Sequence, residues 1–398
     1  MAGTNGTDIN DLTPAQPALL TTVSLPRADA DRLARTIGIA RVLCIFGIVY
    51  VHAWTGRTGE ELVAMTDTPQ AMVRWALIDL LGRSAVPLLS IISGWLVAGS
   101  LARRGWADFV AGKARTILGP MVAWNALSIL LVSGASYAGL IEAPKPRTVW
   151  WVIDELFCLV TPNDINVQTA FLRDLFVCML AVPLLVRLPR WALWAVAAVA
   201  LAWSISGIVV PLVLLRPSIL LFFVLGLLAR RHDGAVRFAA LPLPLVGGAY
   251  FTLAAFQFWM QVTGIDRGYD NPALLTLADI AMRFVTALFF WAIAWRLARG
   301  RLARPLLRIE PYMFLMFCAH LIMIWLGGPT IGRFTGTLGS PLYLPFLLLQ
   351  PLLVLGATIL LGQVLRRTVP AAAAWLSGKR LLADPAGRAA PRPGLAMP

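Results

Sequence analysis

RVLCIFGIVYVHAW, residues 41–54, places an arginine at one end, a histidine near the other, and no charged side chain between them. The surrounding apolar segment, 37–55, matches in length a helix that crosses the ~30 Å hydrocarbon layer at a rise of ~1.5 Å per residue. The pattern recurs along the chain. Of 398 residues 59% are hydrophobic and 14% charged, and the mean hydropathy is +0.75, too apolar for a water-soluble domain of this size. The sequence therefore predicts an all-α, polytopic membrane protein of about ten spans around a polar central cavity. The spans read as 37–55, 75–100, 115–134, 169–187, 191–208, 216–230, 238–261, 274–297, 309–327 and 341–365. Residues 191–230 form almost one apolar block, divided at Gly207 and Pro211, before Arg216, because an undivided helix would overshoot the bilayer.

Basic residues check this layout. With both termini cytoplasmic, most of the 34 Lys and Arg residues fall in inner segments, and the outer loops keep Arg57, Lys145, Arg147, Arg267 and Arg333. The net charge of +14 then reports topology and attraction to anionic inner-leaflet lipid, with no reason to invoke nucleic acid. Residues 1–36 lack a basic region ahead of an apolar core and read as a disordered cytoplasmic N-terminus, without a cleaved signal peptide. Residues 37–366 form the membrane domain, and 367–398, rich in Pro, Ala and Arg, read as a largely disordered cytoplasmic tail. Cys44, Cys158, Cys178 and Cys318 are scattered without metal-ligand or redox spacing, so no metal or bound cofactor is expected.

The long outer loop, 136–168, holds Trp150, Trp151, Asp154, Glu155, Phe157 and then PNDIN at 162–166. Aromatic faces and carboxylates suit a sugar platform, while an interfacial aromatic belt explains the two Trp equally well. Charges inside spans are costly and mark candidate functional groups unless they pair or snorkel. Arg41 and His52 are eleven residues apart, so their side chains return to within about 20° of one another, about 16 Å apart along the axis. A shared face favours one lined cavity over two unrelated end anchors. Asp79 with Arg83, and Asp279 with Arg283, are i,i+4 pairs, and Arg173 with Asp174 opens the fourth span. Mutual pairing that merely permits insertion is the reading preferred for Asp279 and Arg283. In the alternating layout these pairs lie in the outer half with His52, His320 lies at mid-depth or beyond, and Arg41, Glu310 and Tyr312 mark the inner side.

The R-x10-H pair Arg41/His52 resembles that of the bacterial family 3 membrane acyltransferases. GRSAVPLLSIISGWLVAG, residues 82–99, is similar to that family's second span, although PLLSIISGW lacks a Phe before the Ser. FVAGKARTILGP at 109–120, FLRDLF at 171–176 and PYMFLMFCAHLIM at 311–323 are also in keeping, and the resemblance covers roughly residues 35–365 in the family's ten-span layout. It implies transfer of an acyl group, commonly acetyl and in some members succinyl, from a cytoplasmic acyl-CoA such as acetyl-CoA to a hydroxyl of an envelope carbohydrate or glycolipid. Location in the bacterial inner membrane follows. His52 is the candidate base or transient acyl carrier, since imidazole titrates near neutrality, and Arg41 would orient the donor or balance charge near its thioester. Asp79, Arg83, Ser93, Arg173, Asp174, His320, Glu310 and Tyr312 are candidates to line the acceptor cavity. Arg103, Arg104, Lys113 and Arg115 would hold CoA phosphates, although positive-inside bias predicts basic residues there regardless. A transporter or flippase for a sugar-containing substrate is the alternative, but no inverted repeat with paired broken helices accompanies it. A structural or sensory membrane protein would leave Arg41 and His52 without a purpose.

Overall fold

The computed structural model describes residues 27–101, 105–263 and 272–381, and Arg103 and Arg104 lie outside them. Backbone polar groups cannot go unpaired in lipid, and the described chain is accordingly helical, with one isolated bridge between Val210 and Leu214 outside the helices. In order come α1 (Arg27–Val51), α2 (Pro69–Leu101), α3 (Trp106–Tyr137), α4 (Val149–Phe157), α5 (Ala170–Leu180), α6 (Val182–Arg187) and α7 (Arg190–Ser206). There follow α8 (Ser218–Arg231), α9 (Leu243–Thr263), α10 (Pro272–Leu297), α11 (Ala303–Thr335), α12 (Tyr343–Thr368) and α13 (Pro370–Leu376).

Among the described residues, seven helices are long and apolar enough to cross a membrane: α1, α2, α3, α9, α10, α11 and α12. The expected spans at 169–187, 191–208 and 216–230 fall on shorter pieces. The first is split between α5 and α6, with Pro183 in the first turn after the break, and the others are α7 of 17 residues and α8 of 14. The chain is thus a multi-pass membrane protein. Parts of the segments expected to be disordered, residues 27–36 and 370–376, are helical. α1 starts at Arg27, and beyond residue 366 α13 folds back on the bundle. There the Trp124 indole donates to the Leu376 carbonyl at 3.1 Å, and the Arg380 guanidinium lies 4.0 Å from the Phe314 ring centre. An apolar PAAAAWL segment gains by packing, which the Pro- and Ala-rich composition concealed.

α1 is the hub: it packs against α2, α10, α11 and α12. Its closest approach to α2 is made by Gly47 and Gly82, where an added methyl on either residue would meet the other helix's backbone. α2 widens into a π-helical turn at Leu77–Gly82, and that turn carries Asp79. α2 and α8 make the most extensive helix pair. A methyl at Gly94 would strike the Phe223 carbonyl and one at Gly226 the Ile91 carbonyl, so the glycine of the SGW sequence is a packing requirement between backbones. Gly94→Leu is expected to cost about 3 kcal/mol or more, above the usual overpacking range because backbone is the obstacle. The check is the thermal unfolding midpoint of the detergent-solubilised protein beside Ser93→Ala, whose midpoint should stay near wild type.

Candidate active site

His52 sits immediately after the last turn of α1 and lines a cavity of about 540 Å³. Its ring makes no hydrogen bond to another described side chain or backbone group, which leaves an imidazole nitrogen available to a substrate. Three arginines, Arg83, Arg216 and Arg283, share the wall with Asp279, Gln168, Ser204, Ser218 and Thr276. Asp279 and Arg283 are more than an insertion device. Arg83 reaches Asp79 at 2.5 Å and Asp279 at 2.6 Å, and Arg283 holds the second Asp279 oxygen at 2.6 Å, so the two helical pairs merge into one chain of alternating charge across α2 and α10. Asp79 itself is buried and lines a neighbouring pocket with Arg74 and Arg83.

His320 stands one layer behind His52, with ring centres 5.4 Å apart and no surface exposed. It lines neither cavity, contrary to the expectation for it. Its Nδ1 lies 2.8 Å from the Phe317 carbonyl. A carbonyl can only accept, so in the neutral ring Nδ1 carries the proton and Nε2 is an acceptor, buried and without a hydrogen-bond partner.

Arg41 opens elsewhere. It lines a second cavity, of about 150 Å³, with Ser93, Lys113, Glu310 and Arg380, and pairs with Glu310 at 3.1 Å. The single cavity expected from the shared face of Arg41 and His52 is therefore two, because Phe171 and Phe317 line both and stand between them. These rings meet edge to face at 6.0 Å. Lys113, on α3, is the basic residue of that expected set brought to the Arg41 cavity, whereas Arg115 is exposed and does not line it. Ser93 and Glu310 belong to this cavity, away from His52, and Tyr312 lines neither, its ring lying against Gly362.

Arg173 and Asp174 are also absent from both cavity walls; they hold one of them in place. The pair is buried at 2.8 Å. Arg173 donates to the Val213 carbonyl at 2.8 Å, and the Asp174 carboxylate accepts from the amides of Leu215 at 3.1 Å and Arg216 at 2.9 Å. The loop ahead of α8 is thereby fixed, and Arg216 with it. Sequence reasoning used Arg216 only to divide two spans and passed over Gln168, Phe171 and Phe317. Their polar or aromatic character is a weak signal without the neighbouring helices.

The acidic residues of the 136–168 segment are internal fasteners. Asp154 accepts from the Val160 amide at 2.8 Å and the Thr161 hydroxyl at 2.6 Å, and Glu155 from the amides of Asp164 at 2.8 Å and Ile165 at 2.9 Å. Trp151 donates to Asp164 at 2.7 Å, while Trp150 stays exposed. The loop delivers Asn166, Gln168 and Thr169 into a buried polar cluster with Asn125, and Gln168 donates to the Phe317 carbonyl at 3.2 Å. Burial alone would push the Asp154 carboxyl up, but the Thr161 hydroxyl and the Val160 and Thr161 amides outweigh it and hold it below the usual range. Burial prevails at Glu155, whose carboxyl is raised. A carboxyl lowered by folding confers stability that is present above its unfolded value, about 3.9, and lost as pH falls through the folded one. Asp154→Asn should therefore lower the unfolding midpoint at pH 7, and the gap to wild type should narrow in scans below about pH 4.

The acyltransferase domain family matches residues 35–365. The chain is also 31% identical over 384 residues to the succinoglycan biosynthesis protein ExoH of Rhizobium meliloti (strain 1021), an alignment covering 88% of this chain and 94% of that protein. No solved structure matches it.

Proposed function

The chain belongs to the acyltransferase domain family, and from that premise we propose that it is an integral-membrane O-acyltransferase moving an acyl group from a cytoplasmic acyl-CoA to a hydroxyl of an envelope carbohydrate or glycolipid. The observation that carries this reading is the imidazole of His52 opening into a cavity large enough for a sugar, backed by a second cavity around Arg41. The relative's part in succinoglycan biosynthesis supports a polysaccharide acceptor. About ten helical passages, both termini cytoplasmic, in the bacterial inner membrane, are the proposed topology.

In this reading the acceptor hydroxyl lies in the larger cavity and gives its proton to His52 as its oxygen attacks the thioester carbonyl. The C–O bond forms, the C–S bond breaks, and the imidazolium returns the proton to the departing thiolate. His320, behind the base, presents a lone pair at Nε2 to steady the charge that His52 acquires. Arg41, Lys113 and Arg380 give the smaller cavity the cationic lining that suits a phosphorylated donor. The acyl end then has to pass Phe171 and Phe317, the wall that both cavities share. Acetyl is the proposed group, with succinyl second.

His52→Ala should reduce ester formation about 10²- to 10⁴-fold, the range of general base catalysis, while membrane insertion survives. The test is mass spectrometry of surface glycans from a deletion strain carrying either form; undiminished acyl esters on every glycan and lipid would overturn the enzymatic role of His52. Phe171→Leu should widen the partition and let water in. Release of free CoA is expected to rise relative to ester formed in membrane vesicles, as a thiol assay beside ester quantification would register.

A further inference from the structure

The larger cavity holds more positive charge than the transfer of a neutral acyl group to a neutral sugar requires. Arg83 and Arg283 are committed to Asp79 and Asp279. Among the described residues, Arg216 has no carboxylate within salt-bridge distance of its guanidinium, because the nearby Asp174 spends its oxygens on Arg173 and on the backbone amides of Leu215 and Arg216. A buried ion pair is costly, and here it pins the short segment that aims Arg216 at the cavity. The segment runs directly into α8, a helix of 14 residues, whose first residue, Ser218, lines the same cavity, so the positive end of the helix dipole adds to the arginine. Arg283, with 28% of its side chain exposed, stands on that wall too.

We propose that Arg216, with the amino end of α8, forms an anion subsite of the His52 cavity that takes a carboxylate of the reacting molecules. The planar guanidinium suits a two-oxygen anion held bidentate, and the surrounding serines and threonine suit the hydroxyls beside it. The carboxylate has two possible sources, the far end of a dicarboxylic acyl group or an acidic substituent on the acceptor sugar. The subsite rests on the acyltransferase reading above and names the substrate chemistry of that same cavity. Arg173 and Asp174 are its positioning residues.

The test uses the full-length protein in membrane vesicles from a deletion strain expressing wild type, Arg216→Ala, Arg216→Lys or His52→Ala. Each receives acetyl-CoA or succinyl-CoA and the strain's own surface polysaccharide, either as extracted or with its carboxyl groups reduced to alcohols. If the acyl group supplies the carboxylate, Arg216→Ala lowers succinyl transfer relative to acetyl transfer by about tenfold or more, the weight of one charge-assisted hydrogen bond, and Arg216→Lys recovers part of the ratio. If the acceptor supplies it, Arg216→Ala lowers both transfers alike, and the carboxyl-reduced polysaccharide is a poor acceptor for wild type. The subsite is overturned if Arg216→Ala acylates as wild type does. It is equally overturned if transfer falls with no dependence on donor charge while the reduced polysaccharide remains a full acceptor. His52→Ala separates the two readings: transfer that survives it refutes the catalytic assignment, whatever Arg216 does.

Discussion

A charge held within a bilayer must find its partner within the protein, and that constraint fixes how these helices meet. Arg83 satisfies it with two carboxylates at once, Asp79 on its own helix and Asp279 on α10. Because lipid offers no competing partner, rotating α2 about its axis would strand Asp79, which is buried. The network therefore sets the register between α2 and α10 on one side of the His52 cavity. The same logic operates at Asp174, which is fully buried and held by three donors drawn from two segments, its own helix and the loop before α8. Charged groups that read in the sequence as local pairs permitting insertion are the joints of the cavity wall.

Glycine does the complementary work. Where polar pairs specify direction, Gly47, Gly82, Gly94 and Gly226 let backbones approach closely enough for those pairs to form. Without Gly47 and Gly82, α1 would stand off from the π-helical turn that carries Asp79, and His52 would retreat from Arg83 and Asp279. The hub position of α1 thus follows from small residues on the helix that bears Arg41 and leads directly into His52.

This division explains what could be read from the chain. The apolar lengths of α1, α2, α3, α9, α10, α11 and α12 are local properties, visible from hydropathy, and an i,i+4 pair such as Asp279 with Arg283 is local as well. Contacts between distant segments leave no such trace. Nothing in RVLCIFGIVYVHAW reveals that Phe171 and Phe317 will come between its arginine and its histidine, nor does FLRDLF reveal that its aspartate will grip a loop some forty residues on. Asp154 and Glu155 were legible as an acidic pair suited to sugar hydroxyls, yet their oxygens are occupied by the loop's own amides. Residue type announced polarity and left its use open.

On the proposed function, the two-cavity arrangement answers a physical problem that acyl transfer across a bilayer poses. A continuous wet channel between Arg41 and His52 would leak ions and expose a thioester to hydrolysis, whereas a solid core would keep donor and acceptor apart. Two aromatic rings in edge-to-face contact form a thin wall that is apolar on both sides. The backbone behind one of them is fixed, because the Phe317 carbonyl accepts from both His320 and Gln168. Motion at the wall is then confined to side-chain torsions, which are fast and cost little compared with moving a helix. The hydrogen bond that orients His320 behind His52 is made to the same carbonyl that holds the partition, so the placement of His320 and the separation of the two compartments are one structural feature.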